Sequence, residues 1–78
     1  MTLTQLQYTL AVAEEGNFTQ AAEKCFVTQP TLSMQVQKLE EELAVKLFNR
    51  STKPISLTTI GEKIIEQAKI ILKEARRM

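Results

Sequence analysis

Glutamines, a lysine and several hydroxyls crowd one stretch, Thr28 to Lys38, and they set the chemistry this chain has to offer. At 100° per residue Pro30, Met34, Gln37 and Lys38 fall on one side of a helix, while Leu32, Val36, Leu39 and Leu43 line the other. Gln amides and a Lys ammonium hydrogen-bond base edges in a DNA major groove. Thr28, Thr31 and Ser33 stand near the helix N-terminus, where hydroxyls and unpaired backbone N–H groups donate to phosphates. A solvated polar face has the same composition, so the pattern alone leaves both readings open. Met34 has two readings as well: its thioether packs against a thymine methyl in a groove, or it covers a gap between helices or is simply exposed.

A second group of donors follows. Arg50 and Lys53, with Thr52, suit a phosphate backbone or a narrow minor groove, whose negative potential attracts cations. From Leu43 to Gly61 there are three cations, Lys46, Arg50 and Lys53, and no acid, whereas Glu14-Glu15 and Glu40-Glu41-Glu42 gather negative charge elsewhere. The whole chain is nearly neutral, with 10 Lys and Arg against 9 acidic residues. Its pI of 7.9 is short of the roughly 9 that marks a nucleic-acid binder on bulk charge. Any binding face is therefore local.

Much other chemistry is excluded by the alphabet. The 78 residues include no His, no Asp and a single Cys, so no Ser-His-Asp triad, no Cys/His zinc site and no intrachain disulfide can be built. No catalytic residue, metal or cofactor is expected. Cys25, four residues after Ala21, reads as a small core hydrophobe rather than a redox sensor. No basic, apolar leader opens the chain and no apolar run nears the ~18 residues of a membrane span, so the default address is the cytosol.

The elements that must position these groups are legible from caps and periods. Thr2-Leu-Thr-Gln5 has capping-box spacing and starts a helix whose stripe is Leu3, Leu6, Leu10 and Ala13; Gly16-Asn17 stops it. After Phe18, Thr19 can cap a two-turn helix containing Ala21-Ala22. Pro30 interrupts the chain and opens a longer helix capped by Thr28 or Gln29. Short helix, turn, longer helix with a polar outer face is a helix-turn-helix outline. Leu47-Phe-Asn-Arg50 and Ile55-Ser-Leu-Thr58 flank the turn Ser51-Thr-Lys-Pro54. They predict a short hairpin packed through Leu47, Phe48, Ile55 and Leu57 that thrusts Arg50 and Lys53 outward. A last helix starts at Thr58, or at Thr59 with the capping box Thr59-Ile-Gly-Glu62. It repeats apolar residues at Ile60, Ile64, Ala68, Ile71, Ala75 and Met78, widened by Ile65 and Leu72. That stripe suits pairing with a second copy, although packing within one chain also explains it.

The stretch from Phe18 through Val27-Thr-Gln-Pro-Thr-Leu-Ser33 to Lys38-Leu-Glu40, with Leu47-Phe-Asn-Arg50 and Leu57-Thr58, resembles the N-terminal DNA-binding domain of LysR-type bacterial transcriptional regulators. The likeness runs from Leu3 to about Leu72. Ala21-Ala22, Cys25, Gln29 to Ser33 and Lys38-Leu-Glu40 look most like the peroxide-sensing OxyR branch. The resemblance implies a mainly α winged helix-turn-helix, three helices plus a two-stranded wing over residues 1–57. A dimerising linker helix follows over 58–78, and the family's larger C-terminal effector domain is absent from these residues. It places Gln29, Pro30, Ser33, Met34 and Lys38 toward the groove, Thr19, Thr28, Thr31 and Arg50 toward phosphates, and Lys53 at the minor groove. Ile60, Ile64, Ala68, Ile71, Leu72 and Ala75 fall to dimerisation. Two positions depart from the family pattern. Many members carry Arg where this chain has Met34, which leaves base preference there open, and Pro is usual where it has Thr59. The expected partners are duplex DNA bearing an interrupted inverted repeat and a second copy of the chain, with higher oligomers in a longer protein and no membrane. The competing class is a protein-interaction module that docks a partner through its apolar last helix. An enzyme is a distant third.

Overall fold

The computed structural model describes residues 1–78. Four helices and one small sheet follow in the order α1 (Leu3–Glu15), α2 (Phe18–Lys24), α3 (Gln29–Leu43), β1 (Phe48–Asn49), β2 (Ser56–Leu57) and α4 (Thr59–Arg76). This is a winged helix-turn-helix carrying a long last helix.

Caps explain most of the boundaries. The Thr2 hydroxyl accepts from the Gln5 N–H at 3.0 Å and the Gln5 amide oxygen accepts from the Thr2 N–H at 3.1 Å, closing the capping box. Gly16 ends α1 in the left-handed region (φ 66°), where a Cβ would be strained, and its N–H bonds back to the Val12 carbonyl. For α2 the cap is Asn17 and not Thr19: the Asn17 side chain accepts from the Gln20 N–H at 2.9 Å, which draws Phe18 into the first turn. Thr28 caps α3, with Pro30 in the first turn, where its missing N–H costs nothing. Thr58, not Thr59, caps α4 and accepts from the Gly61 N–H at 3.0 Å.

α1 packs against α2, α3 and α4 around one core that includes Leu6, Val12, Ala21, Leu32, Val36, Leu39, Leu47, Phe48, Ala68 and Leu72. The buried face of α1 is rotated from the Leu3, Leu6, Leu10, Ala13 stripe. Leu3 is 48% exposed, Leu10 and Ala13 are half-buried, and Gln5 and Thr9 go inside instead. They are tolerated there because both are satisfied: the Gln5 amide donates to Gln35 Oε1 of α3 at 3.1 Å, and the Thr9 hydroxyl to the Gln5 carbonyl at 2.8 Å.

The wing is two residues per strand, antiparallel, with Phe48 opposite Leu57 and Asn49 opposite Ser56. So short a ladder is held by what it touches. Leu47 and Phe48 are buried, whereas Ile55 and Leu57 are half-buried. The Thr58 N–H donates to the Leu47 carbonyl at 3.0 Å and the Thr58 hydroxyl to the Lys46 carbonyl at 2.6 Å, tying the residues just before β1 to the start of α4.

Candidate nucleic-acid interface

The outer face of α3 is turned away from the core. Leu32, Val36 and Leu39 are fully buried on the inner side; Pro30, Thr31, Gln37 and Lys38 are exposed on the other, and Met34 is 47% exposed. At the helix N-terminus the polar groups are already paired in a fixed geometry. Gln29 Nε2 donates to Ser33 Oγ at 2.5 Å, and Thr28 Oγ1 donates to Thr31 Oγ1 at 2.8 Å. Each pair leaves an acceptor or a donor facing outward, beside the unpaired N–H groups of the first turn.

Arg50 does not project freely from the wing. Its guanidinium donates to Glu40 Oε1 at 3.3 Å and lies 4.6 Å from the centroid of the Phe18 ring, while Phe18 meets Phe48 edge to face at 5.9 Å. Glu40 is 7% exposed, and its other carboxylate oxygen accepts from the Leu47 N–H at 2.8 Å. One buried carboxylate thus joins α3, the root of the wing and Arg50, leaving the arginine half exposed with donors to spare. Glu40 belongs to the site, although in the sequence it stands only as one member of the acidic run Glu40-Glu41-Glu42. The available signal is helical: Glu40 lies about 40° beyond Val36 on the wheel, at the edge of the buried sector.

Lys53 is exposed at the wing turn, and with Asn17, Phe18 and Thr19 it lines a shallow cleft of about 200 Å³. Thr19 and Lys53, distant in sequence, therefore flank one surface. Thr28, Gln29, Pro30, Thr31, Ser33, Met34 and Lys38 all sit on α3 or at its cap.

The residues expected to pair two copies are divided. Ala68 (1% exposed) and Leu72 (3%) are consumed in the chain's own core with Ile65, so they are not free for a partner. The reason is that α4 lies along α1 and closes its apolar face. Ile60 remains 41% exposed, and Ile64, Ile71 and Ala75 are half-buried along the rim. Cys25 is half-buried at the end of α2, where burial pushes its thiol up despite the neighbouring Lys24 ammonium. No group of three or more potential metal ligands is assembled, and no helix is long and apolar enough to cross a membrane.

Comparison with known proteins gives this geometry a family. The description "Bacterial regulatory helix-turn-helix protein, lysR family" matches residues 3–62. A hydrogen peroxide-inducible genes activator of Pectobacterium carotovorum subsp. carotovorum is 42% identical over 76 residues, covering 97% of this chain and 25% of that protein. A probable cat1 operon transcriptional activator of Acinetobacter lwoffii is 45% identical over 78 residues, covering 100% of this chain and 26% of the relative. The chain spans about a quarter of the length of these curated relatives. Among solved structures, the BenM DNA-binding domain complexed with catB site 1 DNA superposes with a TM-score of 0.96 at 41% identity, covering 100% of this chain and 84% of that one. A full-length OxyR variant from Pseudomonas aeruginosa gives 0.92 at 50% identity, covering 97% and 26%. The matches include OxyR and other LysR-type regulators, such as the cat1 operon activator. The chain belongs to the LysR family of bacterial regulatory helix-turn-helix proteins.

Proposed function

We propose that this chain is a sequence-specific reader of duplex DNA, working as a homodimer in bacterial transcription regulation. The observation that carries the reading is the outer face of α3: polar, exposed, and backed by a fully buried inner face that fixes its direction. In this reading α3 lies in the major groove, Thr19, Thr28, Thr31 and Arg50 face phosphates, and Lys53 reaches the backbone or minor groove from the wing. Gln29, Ser33 and Lys38 supply hydrogen bonds to base edges, each good contact contributing roughly 1–3 kcal/mol of discrimination. Arg50 is well suited to its part because Glu40 and Phe18 hold the guanidinium in place before DNA arrives.

Two copies associate through the rim of α4, exposed Ile60 with half-buried Ile64, Ile71 and Ala75, and so read an interrupted inverted repeat with half-sites about one helical turn apart. The division into a reading unit, 1–57, and a linker helix, 58–78, is one of function, since α4 also completes the core. The reading places the protein in the bacterial cytoplasm, with its DNA, and gives it no catalytic step.

The test is a salt titration of duplex binding by fluorescence anisotropy. Affinity falls steeply with salt, and Arg50→Ala and Lys53→Ala each weaken all sequences alike and flatten the log–log slope by about 1. A module that docks a protein partner through α4 shows no DNA affinity to lose.

A further inference from the structure

The outer face of α3 is not uniformly polar. Pro30 and Met34, four residues apart, form an apolar ridge down its middle, and Met34 points about 160° away from Val36. On one flank stand Gln29 and Ser33, hydrogen-bonded to each other; on the other stand Thr31 and Lys38. Met34 fills no gap: it is 47% exposed and lies outside the apolar cluster that Tyr8, Leu10, Cys25 and Val27 pack against. An unbranched thioether without a donor gains little in water, and over guanine or cytosine it strips water from polar atoms it cannot pair. The major groove offers one apolar feature, the C5-methyl group of thymine.

From this ridge we infer that Met34 makes the chain select a thymine, through its C5-methyl group, at one position in each half-site. The inference rests on the DNA-reading assignment above and adds the base that the apolar ridge reads. Hydrogen bonds from Gln29 and Lys38 fix the neighbouring bases; Met34 contributes by excluding water from the methyl and by rejecting a bare polar edge.

The test uses a duplex enriched from a random pool. Each thymine is replaced in turn by deoxyuridine, which removes the methyl and keeps every hydrogen-bonding atom. One replacement per half-site weakens the native chain about fourfold, the cost of one methyl-sized apolar contact. Met34→Ala abolishes that penalty and Met34→Leu retains it. At the same position, 5-methylcytosine paired with guanine is bound more tightly than unmethylated cytosine by a similar factor, which separates the methyl from the rest of the thymine ring. The inference is overturned if no uracil penalty depends on residue 34, or if the penalty persists in Met34→Ala, which transfers the contact to Pro30 or Thr31. A pool that yields no preferred duplex overturns the DNA reading instead. Met34 is exposed, so thermal unfolding of the variants matches the native chain and loss of fold does not imitate either result.

Discussion

Replacing Glu40 separates two things one carboxylate does. In Glu40→Ala the Leu47 N–H loses its 2.8 Å acceptor inside the protein, and an orphaned buried donor costs about 1–3 kcal/mol. Arg50 also loses its partner. Its side chain is 49% exposed, so water screens that loss and it adds only about 0.5–1 kcal/mol. The sum, about 2–4 kcal/mol, is a large share of the roughly 4–12 kcal/mol that stabilises a chain of this size. Glu40→Gln keeps an oxygen for the Leu47 N–H and removes only the charge, at a cost of about 1 kcal/mol. Urea unfolding followed by circular dichroism reads both variants. With a slope of about 1 kcal/mol/M, Glu40→Ala lowers the midpoint by about 2 M or more and Glu40→Gln by about 1 M. Equal losses in the two variants would refute the reasoning, since the acceptor role would then carry nothing beyond the charge. So would an alanine variant as stable as the native chain.

Three further outcomes follow from the same geometry. A Cβ on Gly61 would stand 2.2 Å from the Leu47 carbonyl oxygen, which is held by the Thr58 N–H, so Gly61→Ala costs about 2 kcal/mol despite alanine's better helix propensity and lowers Tm by about 10 °C; a rise in Tm contradicts it. Ile60→Glu, on the exposed rim of α4 near its N-terminus, weakens self-association about tenfold in sedimentation velocity without loss of stability, whereas Leu72→Ala lowers stability; an unchanged dimer in Ile60→Glu removes the rim from the interface. Burial raises the Cys25 pKa above its unfolded value, so that contribution to stability is whole below the unfolded pKa and is lost as pH rises through the folded one. Iodoacetamide therefore labels the native thiol at pH 8 more slowly than in urea, and equal rates would count against a sheltered Cys25.

Much of this fold is written in local chemistry. The Thr2–Gln5 box, the αL glycine at 16, Pro30 in a first turn and the Leu32, Val36, Leu39 stripe act within a few residues, so their spacing is enough. What escaped depends on contacts between distant segments. Gln5 enters the core because Gln35, thirty residues on, accepts its amide proton. Glu40 is buried because a wing that forms later in the chain brings Leu47 N–H and Arg50 to it. Ala68 and Leu72 look like interface residues until α1 is laid beside them. The α3 face was legible for the opposite reason: an exposed face is defined by what does not pack on it, and the helical period alone settles that for Pro30, Gln37 and Lys38, whereas the exposure of Met34 is settled by the structure.

Selection of bound duplexes from a random DNA pool, run in parallel on the native chain and on Gln29→Ala, tests the central claim most directly. The account predicts that the native chain enriches an interrupted inverted repeat with half-sites about one helical turn apart, and that Gln29→Ala flattens the preference while still binding DNA. Enrichment of no sequence, or an identical ranking of bases from both proteins, would contradict it.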